Sequence, residues 1–463
     1  MTLGPDYSRP KSELPDRWQG ESAAHAPDRW WQVYGDSVLD RMIDEAVSRN
    51  SNLALAIARI DEARGALGVT RADQLPAASA QADRSGNRGS QSTVIGIPPG
   101  YNPVYDDFRG SLNASFEIDI WGKYRRATEA ARATLLSLEY TRDSVRLTLQ
   151  ADVVKGYFNL RALDSKVEIT RDTIRSRVAS LDLQRLRFQA GLASELELRQ
   201  VEAEAAAAQA LLPELENQMA DQETALSVIL GHNPRELFGS PAPERGKAIE
   251  ALAVPPPVPS GLPSELLDHR PDIREAELQM VAANAQIGEA KAAFFPSISL
   301  TGLFGAESAS LSNLFTTPST IWQISGSVGQ LLYDGGRASS NLRILEARKK
   351  EALIQYEIAV RNAFQDILNA LVAQRKAHEA LDANMKRTEA LEVALKLAEA
   401  RYQNGVASQL DLLDAERGLL DAELSRIEAQ RIQLAGSADL FKALGGGWNS
   451  TSDPSGVRQP DRR

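Results

Sequence analysis

The chain has 463 residues, with 62 acidic against 52 basic side chains and a formal net charge of −10 at pH 7. Nucleic acids are bound by clustered basic surfaces, so this balance argues against a nucleic-acid partner. The sequence contains no cysteine and four scattered histidines, which excludes disulfides, thiolate metal sites and a cysteine nucleophile. We therefore predict no metal site and no cofactor. No apolar run is long enough to predict a membrane-spanning helix.

The N-terminal part of the chain predicts a strap, a helix and a strand. Residues 1–38 contain several prolines and the pair Trp30-Trp31, which predicts a strap packed on another surface. Apolar residues recur at helical spacing from Asp36 to Arg71, which predicts a single helix. Between Phe108 and Ile120 apolar and polar residues alternate. Ordinary strands have about five or six residues, so this run favours a membrane-barrel strand over a half-buried soluble strand.

A long helix with a return helix comes next. Residues 123–189 contain no proline, and a helix of this length would measure about 100 Å. Gly191 is predicted to break it. The return helix over 194–230 is expected to kink or break at Pro213.

The second half of the chain repeats the first. Gly191 and Gly405 are equivalent, and both follow an aromatic residue by three positions and precede an Ala-Ser pair. So long a period indicates a duplicated half rather than a solenoid unit. The predicted domains are an N-terminal strap (1–38), a first repeat (39–230), a linker between the two halves (231–263), a second repeat (264–444) and a C-terminal segment with a disordered tail (445–463). The first repeat has a helix, strands near 77–91 and 107–121, and helices at 123–189 and 194–230. The second repeat has a helix, strands near 295–305 and 320–333, and helices at 337–404 and 407–444.

The turn at Gly405 carries the most informative difference between the two copies. Both copies have an acid six positions after the glycine, Glu197 and Asp411, but only the second adds Asp414 one helical turn further on. The two aspartates are either a functional acidic site or an ordinary solvated pair on the helix surface. A heptad stripe predicted to pack on a neighbouring helix runs through Val406, Leu410, Leu413, Arg417 and Leu420.

The number of predicted strands bears on assembly. We predict four amphipathic strands, whereas the smallest membrane barrels need about eight. Either the strands form an open sheet with two exposed edges, or several chains share one barrel, and three chains would supply twelve strands. Threefold symmetry would arrange Asp411 and Asp414 as a ring of six carboxylates, and acidic rings select cations.

Seven motifs spread over nearly the whole chain carry a family resemblance. They are GPDY-x-x-P at Gly4–Pro10, WW-x-x-Y-x-D-x-x-L at Trp30–Leu39, FEIDIWGK at Phe116–Lys123, LPSELLDHRPDI at Leu262–Ile273, AAFFPSISLTG at Ala292–Gly302, YQNGVASQLDLLDAER at Tyr402–Arg417 and ALGGGW at Ala443–Trp448. Together they resemble the outer-membrane efflux channels of the TolC and OprM type, in the lipoprotein branch called the NodT family.

The resemblance implies a mainly α-helical fold with membrane β-strands. A homotrimer would form a 12-stranded β-barrel, four strands per protomer, continued by a long α-helical barrel with a mixed equatorial domain. The implied location is the outer membrane of a Gram-negative bacterium, with a long periplasmic extension. The implied partners are a periplasmic adaptor (membrane fusion protein) and an inner-membrane transporter of the resistance-nodulation-division class. Lipoprotein members begin with an acylated cysteine, so the native form is expected to be lipid-anchored, by palmitate for example, where Met1 stands.

The resemblance also implies roles for residues of the second turn. Asp411 and Asp414 match aspartates that line the periplasmic aperture, where they could also be a site of cation block. Leu410 matches an apolar constriction residue. Tyr402 matches a tyrosine that ties neighbouring coils together in the closed state.

Further ties between coils are expected from Arg417 and Glu197. Other acids of the return helices, such as Glu202 and Glu204, are interpreted as an ordinary solvated helix face. No catalytic constellation is found, and the chain is not expected to be an enzyme.

The implied function is the passive exit duct of a tripartite efflux system for drugs or other small toxic compounds, with antibiotic resistance as a consequence. A type I secretion duct for polypeptides is the alternative within the same fold. A soluble coiled-coil scaffold is the alternative from another class. It would account for the long helices but not for the alternating strands.

Overall fold

The computed structural model describes residues 2–10, 29–90, 100, 102–233, 239, 242–255 and 269–446. The helices and strands are α1 (Ser37–Arg49), α2 (Ser51–Ala72), β1 (Ala77–Arg88), β2 (Val104–Glu117), α3 (Lys123–Gln189), α4 (Glu195–Ile229), α5 (Pro271–Ala292), β3 (Ser297–Ser308), β4 (Thr320–Gly329), α6 (Arg337–Gln403) and α7 (Gln409–Ala443). Within these residues no helix is both long and apolar enough to cross a membrane. The expected C-terminal tail and part of the expected linker lie outside them.

The elements come in two sets of matching length, which confirms the internal repeat. Helices α3 and α6 have 67 residues each, and α4 and α7 have 35 each. Helices α2 and α5 have 22 residues each, and strands β1 and β3 have 12 each. The first copy is α2-β1-β2-α3-α4 and the second is α5-β3-β4-α6-α7.

One helix prediction was wrong, and the break that was the alternative to a kink at Pro213 does not occur. The single helix expected from Asp36 to Arg71 is two helices, because Asn50 has an extended backbone between them. The Asn50 side chain accepts a hydrogen bond from the Asn52 N–H (2.9 Å) and so caps α2. The return helix α4 runs unbroken through Pro213. Pro213 is exposed, so water can hydrate the carbonyl that loses its helical partner.

The four strands form one antiparallel sheet in the order β1-β2-β3-β4. Ala77 pairs with Ser115, Phe108 with Ser308, and Ser297 with Gly329. The alternation noted in the sequence puts apolar residues such as Leu112 and Phe304, which pair directly, on one face of the sheet. Among the described residues, the outer edges of β1 and β4 have no strand partner.

Both strands that precede a long helix end earlier than their sequence pattern predicts. β2 ends at Glu117 and β4 at Gly329. An aspartate caps the following helix in each case. Asp119 accepts from the Arg125 N–H (3.1 Å), and Asp334 accepts from three N–H groups, including that of Ala338 (2.7 Å). Each acid therefore accepts from N–H groups at the start of its long helix, which have no partner within the helix.

The chain divides into two compact units, and the first (1–11, 58–139 and 275–357) contains the sheet. In this unit the N-terminal strap lies against α3 and α5. The Arg126 Nε donates to the Leu3 carbonyl oxygen (3.1 Å). A Cβ added to Gly4 would lie 2.5 Å from the Gly288 Cα, so only glycine allows this close approach.

The second unit (12–57, 140–274 and 358–463) contains the main core. Trp30 and Tyr34 are fully buried there. Trp30 stacks on Phe441 with ring centroids 5.2 Å apart, and Tyr34 meets Phe158 edge-on at 4.8 Å. These rings join α3 and α7 to the segment before α1, which fixes the base of the helices that run to the two turns.

Candidate functional site

The candidate site is built on two helix hairpins whose turns belong to the second unit. The first hairpin is α3–α4, which turns at Gly191, and the second hairpin is α6–α7, which turns at Gly405. Both glycines have a left-handed backbone, with φ of 75° and 70°. The N–H of Val406 donates to the Arg401 carbonyl (2.9 Å), as expected where a left-handed residue ends a helix. A side chain would strain this conformation, so glycine sets both turns.

Each return helix starts with a capping box. In the second hairpin the Asp411 N–H donates to the Ser408 hydroxyl (3.2 Å), and Asp411 Oδ2 accepts from the Ser408 N–H (2.9 Å). In the first hairpin Ser194 and Glu197 make the same pair of bonds (3.3 and 2.7 Å). The bonds from the backbone and hydroxyl of Ser408 lower the pKa of Asp411. The carboxylate therefore stays ionised at neutral pH.

A three-residue ion pair joins the two hairpins. Glu204 of α4 accepts from Arg177 of α3, with Nη1 3.2 Å from Oε2, and from Arg417 of α7, with Nε 2.7 Å from Oε1. Arg177 Nη1 also donates to the Glu204 carbonyl oxygen (2.9 Å). The Arg177 and Glu204 side chains are only 6% and 9% exposed, whereas Arg417 is 53% exposed. One buried carboxylate therefore has a buried counter-ion and a half-exposed one.

This ion pair corrects the interpretation of Glu204 as part of a solvated helix face. Arg177 precedes Gly191 by 14 positions and Glu204 follows it by 13, so the two face each other across the hairpin. The equivalent positions of the second hairpin are Leu391 and Gly418. There a Cβ on Gly418 would lie 3.3 Å from Leu391 Cδ2, so that contact is apolar. Comparing the two repeats could have identified Glu204, because the first hairpin has a charged pair at the positions where the second has Leu391 and Gly418.

Tyr402 and Arg187 make a second contact between the hairpins. The Arg187 Nη1 donates to the Tyr402 hydroxyl (3.0 Å), and its Cζ lies 5.7 Å from the ring centroid. Both residues lie one turn before their glycine, so this contact is close to the turns. Arg187 was missed in the sequence, because its twin Arg401 is also an arginine and gives no contrast.

The other predicted residues are more exposed. Asp414 is 63% exposed, and its Oδ1 lies 3.4 Å from Arg417 Nη1 in its own helix. Of the predicted heptad stripe, Leu413 is buried with Leu181 and Val201, whereas Leu410 is 48% exposed. Leu410 and Asp414 thus lie on the exposed surface of α7.

Glu416 is a half-buried acid close enough to Arg177 and Glu204 to interact with their charges. Burial raises the pKa of Glu416, the positive charge of Arg177 opposes this, and the acids Glu399 and Glu204 add to it. Within the described ranges, no cluster of three or more His, Asp or Glu side chains could hold a metal ion. The contacts that the structure shows between the two hairpins are ion pairs and hydrogen bonds.

Comparison with known proteins identifies the class. The chain matches the model of the outer membrane efflux protein family over residues 42–232 and 262–446. It is 33% identical over 460 residues to the solvent efflux pump outer membrane protein SrpC of Pseudomonas putida, which covers 97% of this chain and 96% of that protein. It is 30% identical over 455 residues to the cation efflux system protein CusC of Escherichia coli, with 96% of each covered.

A solved structure is similar over the same extent. The outer membrane channel CmeC of Campylobacter jejuni matches with a TM-score of 0.89 and 26% identity, over 98% of this chain and 96% of that one. The chain therefore belongs to the outer membrane efflux protein family. This confirms the expected trimeric channel fold, the outer-membrane location and the role as an efflux exit duct. The family and these relatives are efflux channels rather than enzymes.

The first prediction concerns the cap that orients Asp411. Ser408→Ala removes the hydroxyl that bonds the Asp411 N–H, and loss of such a cap should speed amide exchange in the first turn of α7 by about 2- to 30-fold. Hydrogen–deuterium exchange of the intact channel measures this. Ser425→Ala, in the interior of the same helix, is the control and should leave that turn unchanged. Equal exchange in both variants would contradict the role of the cap.

Proposed function

We propose that the turns at Gly191 and Gly405 form the periplasmic gate of the duct, and that the pair Arg417–Glu204 holds it shut. The chain works as a homotrimer with a periplasmic adaptor and an inner-membrane transporter of the resistance-nodulation-division class. The observation that carries the proposal is that Glu204 is shared by an arginine of its own hairpin and one of the other hairpin. The gate opens when the second hairpin moves away from the first.

The two arginines differ in how easily they leave Glu204. Arg177 is buried and bonds the Glu204 carbonyl as well, so it stays with the first hairpin. Arg417 is half exposed and can turn its guanidinium into water. Such a pair contributes about 0.2–1 kcal/mol. When Arg417 leaves, Arg177 still neutralises Glu204, so opening does not leave a buried charge alone.

The acids of the second turn control what approaches the gate. Asp411 and Asp414 lie on the exposed side of α7, and three copies around one axis give six carboxylates. Asp411 is held by its capping box, so its charge is fixed in place. This ring attracts cations and repels anions at the periplasmic entrance. Leu410 adds an apolar constriction next to it.

Cargo is selected by the transporter rather than by the duct. SrpC is named for solvents and CusC for cations, yet each is similar to this chain over nearly its whole length. One fold thus serves different cargo in different proteins, which supports a duct without recognition chemistry or catalysis of its own. The exported class is small toxic compounds, including drugs. If the duct exported polypeptides instead, its deletion would abolish secretion of a protein and leave drug tolerance unchanged.

Arg417→Ala tests the gate. The variant lacks the Arg417–Glu204 salt bridge in each of the three protomers, and each bridge contributes about 0.2–1 kcal/mol. The open probability at rest in planar bilayers should therefore rise by about threefold or more. Arg199→Ala is the matched control, because Arg199 pairs only with Glu202 and Glu195 of its own helix among the contacts described. Equal open probability in the two variants would contradict the proposal.

The acid ring is tested by cation block. Replacing Asp411 and Asp414 together by asparagine should abolish block by multivalent cations from the periplasmic side. Asp421→Asn is the control, because Asp421 is paired with Arg387 (2.5 Å).

Acid titration of the same block isolates Asp411. With Asp414→Asn, the remaining block depends on Asp411, whose pKa is lowered. Its charge is lost only as the pH falls through that lowered value, so block should persist at pH 4, near the usual aspartate pKa of about 3.9. Loss of block well above pH 4 would contradict the capped carboxylate.

The constriction is tested at Leu410. Leu410→Ala or Leu410→Ser should widen the apolar ring and raise resting conductance. Leu196→Ala is the matched control, since Leu196 is the equivalent residue of the first hairpin and is also exposed (68%). If only the control raises conductance, the first hairpin forms the constriction.

A further inference from the structure

The pairing of β2 with β3 inside one chain predicts how β4 of one chain pairs with β1 of the next. Under the internal repeat, residues of β2 and α3 shift by 214 positions onto β4 and α6, and residues of α2 and β1 shift by 220 onto α5 and β3. The pair Ala77–Ser115 of β1 and β2 thereby becomes Ser297–Gly329, which is the observed pairing of β3 and β4. The two copies therefore pair their strands in one and the same register.

The contact between β2 and β3 joins the end strand of one repeat to the first strand of the next. Its register sets Phe108 opposite Ser308. A contact between β4 of one chain and β1 of a second copy joins the same two kinds of strand. Shifting Phe108 forward by 214 gives Trp322, and shifting Ser308 back by 220 gives Arg88.

We propose that β4 pairs with β1 of the adjacent copy in the register Trp322–Arg88, Ser325–Ser85 and Val328–Ala82. The occupant of both sheet edges is thus a second copy of this chain, held by one defined set of backbone hydrogen bonds. The inference rests on the trimer of the proposed function. It does not depend on where the gate lies.

The side chains match in this register. On the apolar face Ile324 meets Gly86 and Gly326 meets Arg84, so a large residue faces a glycine each time. On the polar face Gln323 meets Asn87, and Ser325 meets Ser85. A slip of one residue would put the apolar face of one strand beside the polar face of the other.

Slips of two residues keep the faces but lose the fit. In one direction Ile324 and Val328 would each face an arginine, and in the other Ile324 would face Arg84. The proposed register instead sets Arg88 opposite Trp322. The chain already contains such a pair, since Arg84 is opposite Phe108 and its Cζ lies 5.4 Å from that ring.

Cysteine cross-linking tests the register cleanly, because the chain has no cysteine of its own. Directly opposed residues have Cβ atoms about 4.5–5.5 Å apart, close to disulfide geometry. The double variant Ser85→Cys/Ser325→Cys should form disulfides between copies on mild oxidation. Non-reducing denaturing gels of the oxidised full-length channel should show covalent dimers and trimers, which reduction converts to monomer.

Three further double-cysteine variants serve as controls for this cross-link. Ser299→Cys/Ser327→Cys joins residues opposed within one chain (hydroxyls 2.7 Å apart) and should give a monomer-sized disulfide. Ser85→Cys/Ser327→Cys reports a two-residue slip, as does Asp83→Cys/Ser325→Cys in the other direction. Preferential cross-linking of either would overturn the proposed register. Sedimentation of the reduced proteins separates the two claims, because a monomer refutes the shared assembly, whereas a trimer without the Ser85–Ser325 cross-link refutes the register alone.

Discussion

The unpaired edges of the four-stranded sheet are the constraint on which the assembly depends. A sheet edge presents a row of backbone N–H and C=O groups, and lipid offers them no hydrogen-bond partner. The chain carries such edges on β1 and β4. Copies of the chain are the one partner whose matching edges are guaranteed, and closure by copies removes every edge. Symmetry then repeats each hairpin turn about an axis. Single exposed side chains such as Asp414 thereby form a ring of charges around that axis.

Duplication supplied two hairpins that have since acquired different contacts. Opposite each other in the first hairpin are Arg177 and Glu204, and the equivalent contact in the second is Leu391 against Gly418. Burial of a charged pair is costly unless each member keeps a partner. Since Glu204 already has Arg177, the bond to Arg417 can be exchanged for water at modest cost. The asymmetry makes a reversible contact out of a repeat that would otherwise be symmetric.

Sequence periodicity predicted the architecture well and the ion pair poorly. Long proline-free stretches fixed α3 and α6, since residues 123–189 could hardly form anything but one helix. The break at Asn50 was missed because its apolar spacing continues across the cap, and Pro213 is tolerated because it faces solvent. The role of Glu204 was missed because its neighbours in sequence are ordinary. Its burial comes from Arg177 and Arg417, which lie 27 and 213 positions away.

A double-mutant cycle on open probability in planar bilayers tests the gate most directly. The variants are Arg417→Gln, Glu204→Gln and the two combined. A direct bond between these side chains predicts a coupling energy of about 0.5–3 kcal/mol, so the combined variant should open little more often than Arg417→Gln alone. Effects that add within about 0.3–0.5 kcal/mol would contradict the account, because the two residues would then act on the gate independently.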